Sequence, residues 1–234
     1  MAGKWFNGAL IVALCGLSVC IGIAIERGQP VELEVQTPDE TAYVDPDWRL
    51  ALDKVRTTSE GATMRAAALD VLNEAEADSA LVEAITLLGW VATDDDLELL
   101  TSFATSSDLV LSRPGILALG RLGTEAAIDT LLDLTEDKTK AARAIEALGL
   151  TGNRRAFEAL DEMLDSPRHG AWAAYAIGAF ESDLAAERLA LRFHSADANM
   201  ARAIATVLAG FPDDVPRARE VLYQTVDHAI HLQR

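Results

Sequence analysis

Cysteine, histidine and aromatic side chains are scarce in this chain of 234 residues, at two, four and 6 % respectively. Cys15 and Cys20 both sit in an apolar stretch near the N-terminus. Five residues apart on a helix they point about 140° from each other and cannot pair. The rest of the chain therefore has no disulfide, no Cys ligand and no Cys nucleophile. A Gly-rich phosphate loop, a Gly-x-Ser-x-Gly elbow and a His-Glu-x-x-His pair are also missing. His228 and His231 lie three residues apart beside Asp227. Without a third ligand from elsewhere they read as the polar end of a solvated helix rather than a metal site. No catalytic, cofactor-binding or metal-binding residue is assigned on these grounds, and the expectation is a protein that is not an enzyme.

Basic charge is short as well. The formal net charge is −17. Residues 31–137 hold 23 acids against 6 bases, and residues 138–234 hold 13 against 12. Such a surface repels nucleic acid, which excludes DNA and RNA as partners. It leaves two readings open: solubility, including adaptation to a salty habitat, or an electronegative face for a protein partner with a basic surface.

What the chain does have begins with an uncharged run, Trp5 to Ile25. Its length matches the ~20 residues that cross a ~30 Å hydrocarbon layer as a helix. Lys4 precedes it and a mostly acidic stretch follows. That asymmetry predicts a cytoplasmic N-terminus, with the remainder on the periplasmic or extracytoplasmic side. The run is longer than the core of a typical signal peptide, so residues 1–27 are read as an uncleaved signal-anchor. Leu14 and Val19 precede the cysteines where a lipoprotein would carry a small residue. Residues 28–46 contain three prolines and no helical period, and read as an extended linker.

From residue 47 the pattern is helical, and it repeats. Gly89, Gly120, Gly149, Gly178 and Gly210 recur at spacings of 31, 29, 29 and 32, each closing a small-apolar-Gly tail. That period marks a solenoid. Each glycine either accommodates a left-handed turn or lets a neighbouring helix come close. Four residues later stands Thr93, Thr124, Asn153, Ser182 or Asp214, all good N-cap types for a second helix. Seven residues after each cap comes Leu100, Leu131, Leu160, Leu189 or Val221, with a further stripe position three residues before it. One such unit cannot bury its own stripe, but stacked units share a continuous core. Five units are expected over 78–234. A degenerate pair over 47–76, with Ser59 as cap and polar residues such as Asp53, Lys54 and Arg56, would shield the end of the stack.

The stretches Arg113 to Asp137 and Ala142 to Ser166 resemble HEAT repeats in the short form seen in phycocyanobilin lyase-like proteins. The resemblance implies a right-handed α-solenoid of about six helical hairpins, here behind one transmembrane helix. It also implies a binding scaffold; together with the anchor and the missing catalytic set, the expectation is a membrane-anchored, non-catalytic platform for protein partners in the cell envelope. An accessory subunit of a larger membrane complex and a bilin lyase-like enzyme are the alternatives. The usual Asp-Pro at the turn is replaced here by "GTEAA", "GNRRA" and "ESDLA".

Six residues stand out as partner-binding candidates. Asp94, Asp95, Asp96 and Glu98 cluster at the start of a second helix, where the helix dipole alone would stabilise them by ~0.3–1 kcal/mol each. Arg154 and Arg155 open another second helix, where that dipole disfavours them. Pairing with Glu158 or with acids of a neighbouring unit is the structural alternative. Trp172 and Tyr175 share a helix face and are read as core or as groove-lining.

Overall fold

Helix follows helix from Asp47 onward, and side-chain caps mark where several of them begin. The structure is a computed structural model, which describes residues 47–223 apart from 76, 194, 213, 214 and 216, with the backbone alone at 47, 48 and 51. The expected anchor Trp5–Ile25, the linker, the cap Asp214 and the histidines 194, 228 and 231 lie outside the described residues. No described helix is long and apolar enough to cross a membrane.

The elements are α1 (Asp47–Arg56), α2 (Ser59–Glu74), α3 (Asp78–Val91), α4 (Leu97–Thr105), α5 (Leu109–Leu122) and α6 (Glu125–Leu134), then α7 (Ala141–Gly149), α8 (Arg154–Met163), α9 (Gly170–Gly178), α10 (Asp183–Phe193) and α11 (Ala198–Gly210). A 3₁₀ turn, Asp94–Asp96, leads into α4. Helix resumes over 217–223. No strand occurs among the described residues.

The first helices α3, α5, α7, α9 and α11 pack one on the next, and α4, α6, α8 and α10 pack against them. This is the arrangement of stacked helical hairpins. The seventh residue after each cap faces the shared core: Leu100, Leu131, Leu160 and Leu189 are fully buried, and Val221 is nearly so. The side chains of Thr124, Asn153 and Ser182 each accept an N–H from the first turn of their helix. At the N-terminal pair the cap differs from the expectation. Thr58, extended at φ −82° and ψ 158°, accepts the N–H of Gly61, and Ser59 is already helical.

Four of the repeat glycines, Gly89, Gly120, Gly149 and Gly178, serve close approach, and Gly210 does not. A Cβ on Gly120 would lie 2.4 Å from the carbonyl oxygen of Ala147, and one on Gly149 2.5 Å from that of Ala176. The left-handed turns come three residues further on, at Gly123 (φ 64°), Gly152 (φ 58°) and, without glycine, Glu181 (φ 46°).

Helix α1 divides its polar residues between solvent and the stack. Asp53 and Lys54 are exposed, but the Arg56 side chain is only 9 % exposed. It donates to the Arg121 carbonyl at 2.6 Å. Arg49 donates to that same carbonyl and to the Leu122 carbonyl. Two guanidinium groups thus sit on the C-terminus of α5, whose last carbonyls lack helical partners and carry the negative end of the dipole. Burial lowers the Arg56 pKa, and the neighbouring charge of Arg49 lowers it further.

Candidate interaction site

Because α1 lies against the C-terminus of α5, a groove forms where the turns between paired helices come to the surface. It consists of two adjoining cavities that share Arg49, Asp53 and Gly123. The first, about 540 Å³, takes in Glu125, Arg154, Arg155 and Glu158. The second, about 500 Å³, takes in Arg56, Asp94, Asp95 and Thr124. Of the six residues that stand out in the sequence, Asp94, Asp95, Arg154 and Arg155 line this groove. Glu98 is exposed but lines neither cavity.

Asp96 departs from its neighbours. It is 3 % exposed and turns away from solvent. Both of its oxygens accept from Arg65 of α2 at 2.7 Å. One of them also accepts the Thr93 N–H at 2.9 Å. Asp96 is therefore a structural tie and not part of an acidic docking face. Its hydrogen bond holds the Arg65 pKa above the ordinary value.

The two arginines at the start of α8 have partners too. Arg154 donates to Glu158 one turn along, at 2.8 Å. Arg155 reaches back to Glu125 and Asp129 of α6. Similar links continue toward the C-terminus. Arg192 of α10 donates to Asp165 at 2.8 Å, and Arg217 donates to Glu187 of α10 at 3.1 Å. With Arg188 of α10 facing Asp161 of α8, a ladder of ion pairs connects α6 to α8, α8 and the turn after it to α10, and α10 to the segment from 217. Glu125 is exposed, and its carboxyl is held below the usual range by hydrogen bonds from Arg155 and Asn153. Exposed rungs of this kind contribute little stability each.

One rung is poorly matched. Asp161 stands 3.6 Å from Arg188, with its Oδ1 buried and without a hydrogen-bond partner. Burial pushes its carboxyl above the ordinary value, against the pull of Arg188 and Arg192. An acid with a raised pKa favours the fold below its unfolded value, and that contribution is lost as pH rises through the folded value. Asp161→Asn is therefore expected to be more stable than the wild type at neutral pH, with the difference closing near about pH 4. Urea melts at the two pH values measure this. A lower midpoint for the variant at neutral pH would mean that the pairing with Arg188 outweighs burial.

Phe157 and Phe180 are buried in the core, but the two aromatic residues that stand out in the sequence are neither core nor groove. Trp172 and Tyr175 are 41 % and 50 % exposed and line neither cavity. The Trp172 ring stacks on His169 at 6.0 Å. Trp90, also half exposed, carries the Arg121 guanidinium over its ring at 4.1 Å. Arg49 and Arg56 are the groove residues that sequence reasoning missed. Nothing local marks them, because their partners lie 65 to 73 residues away. Among the described residues no group of three or more His, Cys, Asp or Glu side chains is placed to hold a metal ion.

The fold is that of an all-helical repeat protein. Within it, residues 115–137 match the family model described as PBS lyase HEAT-like repeat. The matched stretch runs from the middle of α5 through α6. No curated protein matches the chain.

Proposed function

We propose that this protein is a single-pass, membrane-anchored HEAT-like α-solenoid, right-handed, that serves as a non-catalytic scaffold for protein partners in the cell envelope. The observation that carries the reading is the stack of helical hairpins with a HEAT-like repeat at its centre. Proteins built this way offer long continuous surfaces on which partner chains lie. The groove along the turns is where such a partner would engage. The anchor rests on the run Trp5–Ile25, and the extracytoplasmic placement rests on the charges that flank it.

The test is affinity purification of the full-length chain from mildly solubilised membranes, with mass spectrometry of what accompanies it. A stoichiometric co-purifying protein is the expected result. A chain found in the soluble fraction would overturn the anchor, and one recovered alone would overturn the stable scaffold. The family description gives a second reading, a bilin lyase-like activity. It requires the purified protein to bind a bilin, and a preparation that stays colourless after incubation with bilins removes it.

A further inference from the structure

Charge is sorted between the two sets of helices. The second helices α4, α6, α8 and α10 carry nine acids against four bases. Among the first helices, α3 keeps the acids Asp78 and Glu83. From α5 on the sign reverses: α5, α7, α9 and α11 carry Arg113, Arg121, Arg143 and Arg202 against one acid, Glu146. Four helices of a chain with net charge −17 thus bear a positive excess. The buried residues set the register between them. Ala144 and Ile145 of α7, Ala173 and Ala174 of α9, and Ala203 and Ile204 of α11 are buried at matching positions. The residue before each pair is Arg143, Trp172 and Arg202 in turn. Because α9 packs between α7 and α11, Trp172 stands in a row with an arginine on either side. Tyr175 lies one turn along, and the two rings are 41 % and 50 % exposed. Helix α9 holds no charged residue of its own, and Arg168 is exposed just ahead of it. Arg143 pairs with Glu146, and Arg202 donates to Asn199, each within its own helix.

We infer that this face, with Trp172 and Tyr175 at its centre and Arg143 and Arg202 beside them, rests on a bilayer that contains anionic phospholipid. Tryptophan and tyrosine suit the membrane–water boundary, because each joins an apolar ring to a polar tip. Arginine meets a phosphate through two parallel hydrogen bonds and lays its apolar stem along the surface. Charge selects the face. An anionic surface repels the acidic second helices and attracts the first helices from α5 on. Reach is also met. Residues 28–46 span at most about 65 Å, so a chain anchored by Trp5–Ile25 holds its helical stack near that same bilayer. The inference rests on the membrane-anchored reading and adds the surface and the lipid chemistry it meets.

The test is the tryptophan fluorescence of the full-length chain in lipid nanodiscs of phosphatidylcholine with one quarter phosphatidylglycerol, with and without bromine on the acyl chains. Bromine quenches only a ring that reaches the bilayer. The difference between the wild type and Trp172→Phe isolates Trp172 from Trp5, Trp48 and Trp90. Brominated lipid is expected to remove most of that difference. Arg143→Gln combined with Arg202→Gln should lower the ratio of seated to free face about thirtyfold and so restore the emission. Arg154→Gln combined with Arg155→Gln makes the same charge change on α8 and should restore none of it. High salt should act as the first pair does, which keeps the test valid if that variant folds poorly. Emission that brominated lipid leaves untouched in nanodiscs holding the chain would overturn the face and leave the anchor standing. Equal effects of the two arginine pairs would reduce the attraction to bulk charge and overturn the face as well. A chain that does not enter nanodiscs would overturn the anchor instead, and the face then stands or falls by the same quenching with brominated vesicles of that lipid.

Discussion

Gly149→Val is expected to destabilise the protein by about 3 kcal/mol or more, at the upper end of what overpacking costs. A Cβ there would stand 2.5 Å from the carbonyl oxygen of Ala176 and 3.0 Å from its Cα. The obstruction is the backbone of α9, which cannot rotate out of the way as a side chain can. Even alanine should be unfavourable, because the ~1 kcal/mol it gains over glycine in helix propensity is smaller than the strain of moving a whole helix. Gly120 has the same relation to Ala147, with its nearest contact at 2.4 Å, and should behave alike. Gly178 meets a side chain, the Cγ1 of Val207 at 2.6 Å, so it should tolerate alanine better. Gly210 has nothing within 4 Å of a built Cβ. Gly210→Ala is therefore expected to leave stability unchanged or raise it by up to ~1 kcal/mol. Urea denaturation followed by circular dichroism ranks these variants. Similar losses at Gly149 and Gly210 would show that the glycines are not there for helix approach.

That graded series explains what the sequence could and could not reveal about these positions. The recurrence of glycine is visible in the sequence, and so is the N-cap four residues on, because a cap acts within three residues of itself. Thr124 and Asn153 do what their position implies. The stripe through Leu100, Leu131 and Leu160 is legible for the same reason: a helix of known period imposes it. The choice between a left-handed turn and a close approach was not legible. It depends on which atoms of the next unit face each glycine. The turn uses a different residue, and at Glu181 it does so without glycine.

The candidate site was legible in part. Arg154 and Arg155 stand where a helix dipole disfavours them, and carboxylates of the same and the preceding second helix meet them. The acidic run Thr93 to Glu98 announces a helix start but hides the different fates of its members. Asp96 points to a partner 31 residues earlier, while Asp94 and Asp95 point to solvent. Arg49 and Arg56 read as ordinary polar residues of an end-capping helix. Their role depends on α1 reaching the C-terminus of α5, and no local pattern encodes that contact.

Asp96→Ala is the second large effect. Arg65 meets Asp96 through two parallel hydrogen bonds of 2.7 Å, one from Nε and one from Nη2. This bidentate geometry is the strong form of an ion pair. Removing one partner of a fully buried pair costs ~3–5 kcal/mol. The Arg65 side chain is 28 % exposed, however, so water can serve part of the freed guanidinium. The expected loss is therefore about 2–3 kcal/mol, including the Thr93 N–H that loses its acceptor. Asp96→Asn keeps the shape and one acceptor oxygen, and should lose about half as much. Replacing both partners, Arg65→Met with Asp96→Leu, should recover most of the stability, because apolar residues of similar volume often replace a buried pair at little cost. Asp94→Lys and Asp95→Lys, one and two residues away, should each change stability by less than about 0.5 kcal/mol, as exposed substitutions do. Denaturation of the five variants measures all of this in one series. Three adjacent aspartates should thus separate by burial alone. If all three instead behave alike, α2 is held to the stack by its apolar contacts, and the Arg65–Asp96 pair is a surface ion pair of the weak kind.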